Sequence, residues 1–311
     1  MRCCGPRKTG TVPELLLKIE HTNIYRYVRP VELTTHRLML RPAESHGLQI
    51  RSEKLEIHPA HTLSWEHDVF YNSIAQVNFT EKADELRISS CYTVEQFNIN
   101  PFNFVLEIYT NDLPFDYRGD DIDDLVSYVK PQYPGDTPAI QEWLQPFLDS
   151  KGRGKTLEFL LKLNESIAAN FSYGRREEPG IQRPAETLKL GTGSCRDFAL
   201  LFMEAARHMG LAARYVSGYL CSMDDKKPDV AADATHAWTE IYLPGGGWKG
   251  FDPTCGILAA GLHVRVAATR NPAQATPIRG SYLGDGSLLR NMRVTVNAHS
   301  IKSPSQSQKQ F

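Results

Sequence analysis

Residues 191–220, GTGSCRDFALLFMEAARHMGLAARYVSGYL, constrain the fold more than any other stretch of the chain. Phe198, Leu201, Phe202, Ala205 and Met209 recur at three- and four-residue steps, which predicts a helix with one buried face. Ser194 suits the N-cap, Asp197 supplies an acid in the first turn, and Gly210 supplies a left-handed stop. Cys195 therefore falls in the first turn of a helix aimed into the protein. Unpaired N–H groups and the positive end of the helix dipole favour a thiolate there. A nucleophilic sulfur is the expectation.

A thiolate nucleophile needs a base, and the base needs a group to orient it. Residues 235–256 read THAWTEIYLPGGGWKGFDPTCG. Two strand-like runs, 236–243 and 248–252, flank Pro244-Gly245-Gly246-Gly247 and predict a hairpin. Pro244, at the edge of that turn, lies midway between His236 and Asp252. Both occupy even positions, so their side chains share one face. The best turn centre comes a residue or two later, and direct opposition then requires a slip or bulge. A carboxylate so placed can hold an imidazole whose other nitrogen points at the Cys195 helix.

The segments GSCRDFA, ARYVSGYL and HAWTEIYLPGGGWKGFDPT, with Cys, His and Asp in that order, resemble the core of bacterial transglutaminase-like proteins, members of the papain-like cysteine enzymes. The segments HTNIYRYVRPV and HRLMLRP resemble the β-rich domain that precedes this core in bacterial members. The resemblance implies Cys195 as nucleophile, His236 as acid/base and Asp252 as orienter. One departure is Cys255, which follows Asp252-Pro253-Thr254 where Asn or another polar residue is expected. The triad does not depend on it.

With 311 residues, 41% hydrophobic and 23% charged, the chain has the length and composition of two globular domains. A formal net charge of −1 gives no strong field toward nucleic acid or an anionic membrane, so neither is expected as a partner. No run has the apolar length of a signal peptide or a membrane span, and the location expected is cytoplasmic. Six cysteines at positions 3, 4, 91, 195, 221 and 255 fit reduced thiols rather than a disulfide framework.

Strand-like runs at 15–28, 36–41, 48–58, 70–79 and 86–97 predict an antiparallel β domain, with a turn at 81–85 joining the last two as a hairpin. Helices are expected at 120–130, from Thr137-Pro138 through Trp143, and at 156–170 with Leu157, Leu160, Leu161 and Ile167 inward. Runs at 262–268 and 291–297 read as final strands. The fold class is thus α+β. Its expected parts are a flexible leader (1–13), an N-terminal β domain (14–112), a helical connection (113–154), a catalytic core (155–298) and a disordered tail (299–311).

Two further residues are candidates for the cleft or an oxyanion contact: Tyr173, in FSYG ahead of the nucleophile, and His263, after the hairpin. The main oxyanion donor is expected to be the Cys195 backbone N–H. Trp238 reads as packing. No metal and no cofactor are expected. His58, His61 and His67 lack a helical i, i+4 pair, and Asp120, Asp121, Asp123 and Asp124 lack the glycine and terminal Glu of a calcium loop. The expected chemistry is acyl transfer or hydrolysis of a peptide or protein amide through a Cys195 thioester. The alternatives are a dedicated cysteine peptidase or amidase, and a binding module that keeps the cleft without using it.

Overall fold

The computed structural model describes residues 15–97, 100–174, 180–223 and 235–301. Six strands open it: β1 (Leu15–Leu33), β2 (His36–Leu38), β3 (Leu48–His58), β4 (His61–His67), β5 (Ser73–Phe79) and β6 (Ala83–Gln96). Burial alternates along much of β1 and β6, the pattern of a sheet with one face on a core. β6 pairs antiparallel with β1 and β3, whereas β5 pairs antiparallel with β2 and β4. The predicted hairpin between β5 and β6 is therefore absent. The turn at 81–85 carries the chain from one sheet to the other, because both edges of each strand are already paired. Tyr27, Val31, Leu38, Val77, Leu86 and Ile88, drawn from both sheets, form one apolar cluster.

The connection contains β7 (Asp112–Leu113), α1 (Asp121–Val129) and α2 (Thr137–Leu144), and then β8 (Gly154–Lys155), which pairs with β7. α3 (Thr156–Asn170) spans the predicted residues, but its buried face is Phe159, Leu160, Leu163 and Ile167. Leu157 and Leu161 are only partly buried. This rotation buries Asn164, whose side-chain amide donates to the Ile257 carbonyl at 3.0 Å.

β9 (Ser172–Tyr173) runs parallel to β10 (Thr192–Gly193), with α4 (Pro184–Leu190) between them in sequence. α5 (Cys195–His208) follows directly. The chain then forms β11 (Ala213–Leu220), β12 (His236–Leu243), β13 (Gly247–Asp252), β14 (Ile257–Leu258) and β15 (His263–Thr269). These make an antiparallel sheet in the order β14-β13-β12-β11-β15. α5 packs on one face of it. Thr239 Oγ donates to the Ala199 carbonyl at 2.7 Å, and Phe202 stacks on Phe251 with centroids 5.4 Å apart. α5 is buried on nearly every side, so its charged residues have to be paired. Arg207 bonds Glu204 at 2.8 Å and donates to the Ala213 and Arg270 carbonyls, while Glu204 accepts from the Gln132 and Tyr133 amides.

The last strands do not close the core, as the boundary at 298 would require. β16 (Ile278–Arg279) pairs with β2, and β17 (Tyr282–Leu283) and β18 (Leu289–Ile301) pair with β1. Residues 299–301, assigned from sequence to a disordered tail, belong to β18. β1 otherwise has an open edge of backbone N–H and C=O groups, and β18 satisfies that edge. The leader at 1–13, Cys3, Cys4 and the rest of the tail lie outside the described residues. Among the described residues, no helix is long and apolar enough to cross a membrane. The fold is α+β, with an antiparallel β region and a helix-backed antiparallel sheet.

Candidate active site

Cys195 opens α5 and is buried. Ser194 caps the helix, and the Asp197 carboxylate reaches back to accept from the Ser194 N–H and Oγ–H, each at 2.8 Å. The other Asp197 oxygen accepts from the Gln182 N–H at 2.7 Å. The chain reaches Cys195 through Gly193, where a Cβ would lie 3.0 Å from both Asp197 Cβ and the Phe198 ring. Glycine at this position lets the strand pass close over the helix start. Tyr173 lies beside Gly193 in the β9–β10 pair, with its ring edge-on to Phe198.

His236 opens β12 and Asp252 ends β13. Thr239 pairs with Phe251, so one step on Asp252 falls opposite Trp238, and His236 lies two residues further along. The His–Asp contact is thus diagonal across the hairpin, on one face, and needs no bulge. His236 Nε2–H donates to Asp252 Oδ2 at 2.7 Å, and both residues are buried. Burial alone would make the imidazole less basic. The Asp252 carboxylate and, more weakly, the neighbouring Cys195 outweigh it and push the His236 pKa up to about 10. No group closes a hydrogen bond on His236 Nδ1. Cys195 is near enough to His236 to act on its pKa.

Asp252 is enclosed by donors. Its Oδ1 accepts from the Thr254 and Cys255 N–H groups at 3.0 and 3.3 Å. Its Oδ2 accepts a second imidazole N–H, that of His263 Nε2, at 2.9 Å. Burial opposes ionisation of this carboxyl, but the two imidazoles hold it well below the usual carboxylate range. Of the two cleft candidates, His263 sits within the buried site, with Nε2 engaged by Asp252 and Nδ1 accepting from the Ala260 N–H at 3.3 Å. With both nitrogens committed, it cannot serve as an oxyanion donor. The sequence carried no spacing signal for this contact, because His263 lies on β15, two strands away from β12 in the sheet.

Cys255 also joins the group: one ligand-type atom each from Cys255, His236 and Asp252 lies within 4.8 Å of the others. Burial, reinforced by the Asp252 charge, pushes the Cys255 thiol far up, so it stays protonated. Trp238 is buried beside the two histidines, 6.1 Å from the His236 ring and edge-on to His263 at 5.2 Å, while the histidine rings lie 6.0 Å from each other. A Cβ on Gly218 would lie 2.2 Å from the Val264 carbonyl and 2.7 Å from the Trp238 ring. Gly218→Ala should therefore cost about 1–3 kcal/mol and disturb the indole that packs against both histidines, which thermal unfolding and tryptophan fluorescence would detect. A variant as stable as the wild type would mean that the packing around Trp238 is loose.

The transglutaminase-like superfamily matches residues 147–253, a span that contains Cys195, His236 and Asp252, and the bacterial transglutaminase-like N-terminal region matches residues 17–95. The uncharacterized protein Rv2569c of Mycobacterium tuberculosis is 29% identical over 275 residues, covering 85% of this chain and 86% of its own. The uncharacterized protein ML0607 of Mycobacterium leprae is 35% identical over 95 residues, 30% of this chain and 33% of that protein. A crystal structure from Cytophaga hutchinsonii, described as a candidate cysteine protease, superposes with a TM-score of 0.68 over 94% of this chain and 92% of that one. Its sequence identity is 20%, so the likeness is one of fold. With an N-terminal β region, a helix that starts at Cys195 and a sheet that brings His236 against Asp252, the chain belongs to the bacterial transglutaminase-like family.

Proposed function

We propose that this chain is a cysteine enzyme that transfers or hydrolyses the acyl group of a peptide or protein amide. The observation that carries the reading is the division of labour on His236: Nε2 is bonded to Asp252, Nδ1 makes no other hydrogen bond, and the first-turn cysteine of α5 is near enough to raise the ring's pKa. The Cys195 thiolate attacks the amide carbonyl carbon, and the oxyanion that forms faces the N–H groups of the first helical turn. The C–N bond then breaks, and the His236 imidazolium gives its proton to the departing amine. A Cys195 thioester remains. Water, or a second amine, attacks the thioester while neutral His236 takes its proton, and the C–S bond breaks to restore thiolate and imidazolium. Hydrolysis needs no second binding site, which favours water as the acceptor.

The four described cysteines outside any disulfide, Cys91, Cys195, Cys221 and Cys255, support a reducing compartment, and we place the reaction in the cytoplasm. A peptide library read by mass spectrometry tests the function: glutamine deamidation, cross-linking and backbone cleavage give different mass changes. Iodoacetamide at neutral pH separates an enzyme from a binding module. Selective alkylation of Cys195 supports the reading, and reactivity no higher than that of an exposed thiol opposes it.

The chemistry runs on protein groups alone, and no metal is required. The Nε2 of His236 and the Oδ2 of Asp252, two groups of the Cys255 cluster, are already bonded to each other. Dialysis against EDTA is expected to leave turnover intact, and recovery only on adding calcium or zinc would overturn this.

A further inference from the structure

We propose that His263 is a positioning residue of this site: its imidazole N–H locks the Asp252 carboxylate in the orientation that presents Oδ2 to His236. The inference rests on the reading of Cys195, His236 and Asp252 given above. Its geometry is specific. Oδ2 accepts from His236 Nε2 at 2.7 Å and from His263 Nε2 at 2.9 Å, so both lone pairs of that oxygen are used. Oδ1 is held by two backbone N–H groups. The carboxylate cannot turn about its Cβ–Cγ bond without breaking four hydrogen bonds.

The tautomer of His263 is set from the backbone. The Ala260 N–H donates to Nδ1, so the ring proton sits on Nε2, where Asp252 needs a donor. His236 differs in this respect, because its net charge changes during the proposed reaction. When the imidazolium passes its proton to a departing amine, Asp252 loses its counter-charge while remaining buried. The N–H of His263 takes no part in that transfer and stays on the carboxylate throughout.

His263 is also held from several sides. Trp238 meets its ring edge-on, and its strand pairs with β11, which pairs in turn with the strand that carries His236. It borders a cavity of about 310 Å³ that Trp238, Glu240 and Arg265 also line. His236, Trp238 and Glu240 are even positions of β12 and share one face of that strand with Asp252, so His263 meets the carboxylate on the same face as His236.

Iodoacetamide alkylation of Cys195, followed by mass spectrometry on the full chain near neutral pH, tests this with His263→Leu, His263→Asn and His263→Gln. An ordinary thiol is only a few per cent ionised at pH 7, so loss of an oriented imidazolium is expected to slow alkylation about tenfold. His263→Leu and His263→Asn should show that loss. His263→Gln, whose amide N–H reaches the position of the ring Nε2, should stay within about twofold of the wild type. Melting temperatures accompany each rate. Should the Leu variant fail to fold, the comparison of Asn with Gln still decides, because both are polar amides and differ in reach by one methylene. A wild-type rate in a folded Leu or Asn variant, or a Gln variant as slow as Asn, overturns the proposal. His236→Ala is the control. If it alkylates as fast as the wild type, the pairing of His236 with Cys195 is what fails.

Discussion

Cys195→Ala is expected to abolish turnover of whichever amide the library screen identifies, and to leave thermal stability nearly unchanged. The residue begins α5 rather than filling its middle, and the substitution removes one sulfur from a helix held elsewhere. Thr239 bonds to Ala199, Phe202 stacks on Phe251, and Arg207 ties the far end to β11. None of these contacts involves the thiol. The capping contacts between Ser194 and Asp197 also persist, because they use the Ser194 N–H and hydroxyl. Activity should fall by orders of magnitude. Activity retained within about tenfold, a change in barrier below roughly 1.4 kcal/mol, would place the nucleophile elsewhere. Cys255 is the obvious other thiol of the site, but its proton is held by burial and by Asp252. Cys255→Ala should accordingly keep turnover, and the reverse pattern in the two variants would exchange their roles.

Asp252→Asn should be the second most damaging change, in both activity and stability. The amide has no good orientation in this site. One way round, its NH2 faces the N–H groups of His236 and His263; the other way, it faces the amides of Thr254 and Cys255. Breaking a buried ion pair from one side costs roughly 3–5 kcal/mol. The pH dependence has a definite sign. His236 has its pKa raised from 6.5 to about 10, so its contribution to stability is full below 6.5 and is lost as pH rises through about 10. The Asp252 pKa is lowered from 3.8, so its contribution is full above that value and is lost on acidification. The wild type should therefore exceed the variant in stability most clearly between about pH 4 and 6.5. Turnover should be bell-shaped, its limbs belonging to the coupled pair. Without its counter-ion the imidazolium loses its proton more readily, so the alkaline limb moves to lower pH. Turnover and Cys195 alkylation measured against pH in both proteins check this. Unchanged profiles would reduce Asp252 to a turn residue and the triad to a dyad.

Local order set much of what the chain does. The helix at Cys195 and its cap follow from spacing within some fifteen residues, and the hairpin follows from a glycine turn between two short apolar runs; the single buried face that the spacing predicted is instead burial on nearly every side, with Met209 only partly covered. His236 and Asp252 met because strand side chains alternate, so two even positions across one turn share a face whether the contact is direct or diagonal. Long-range pairing was not legible in this way. Apolar and polar residues alternate from Met292 to Asn297 in β18, and nothing in that alternation says whether the strand lies beside β15 or returns to β1. β5 and β6 likewise looked like hairpin partners until their edges were taken by β2, β4, β1 and β3. The second imidazole on Asp252 belongs to the same class of fact. His263 reaches the carboxylate because the order β13-β12-β11-β15 and the placement of the Trp238 ring bring it there. Periodicity specifies which face a residue takes; which strand lies next to it is decided by backbone hydrogen bonds between segments far apart in sequence, and those form only when the whole sheet closes.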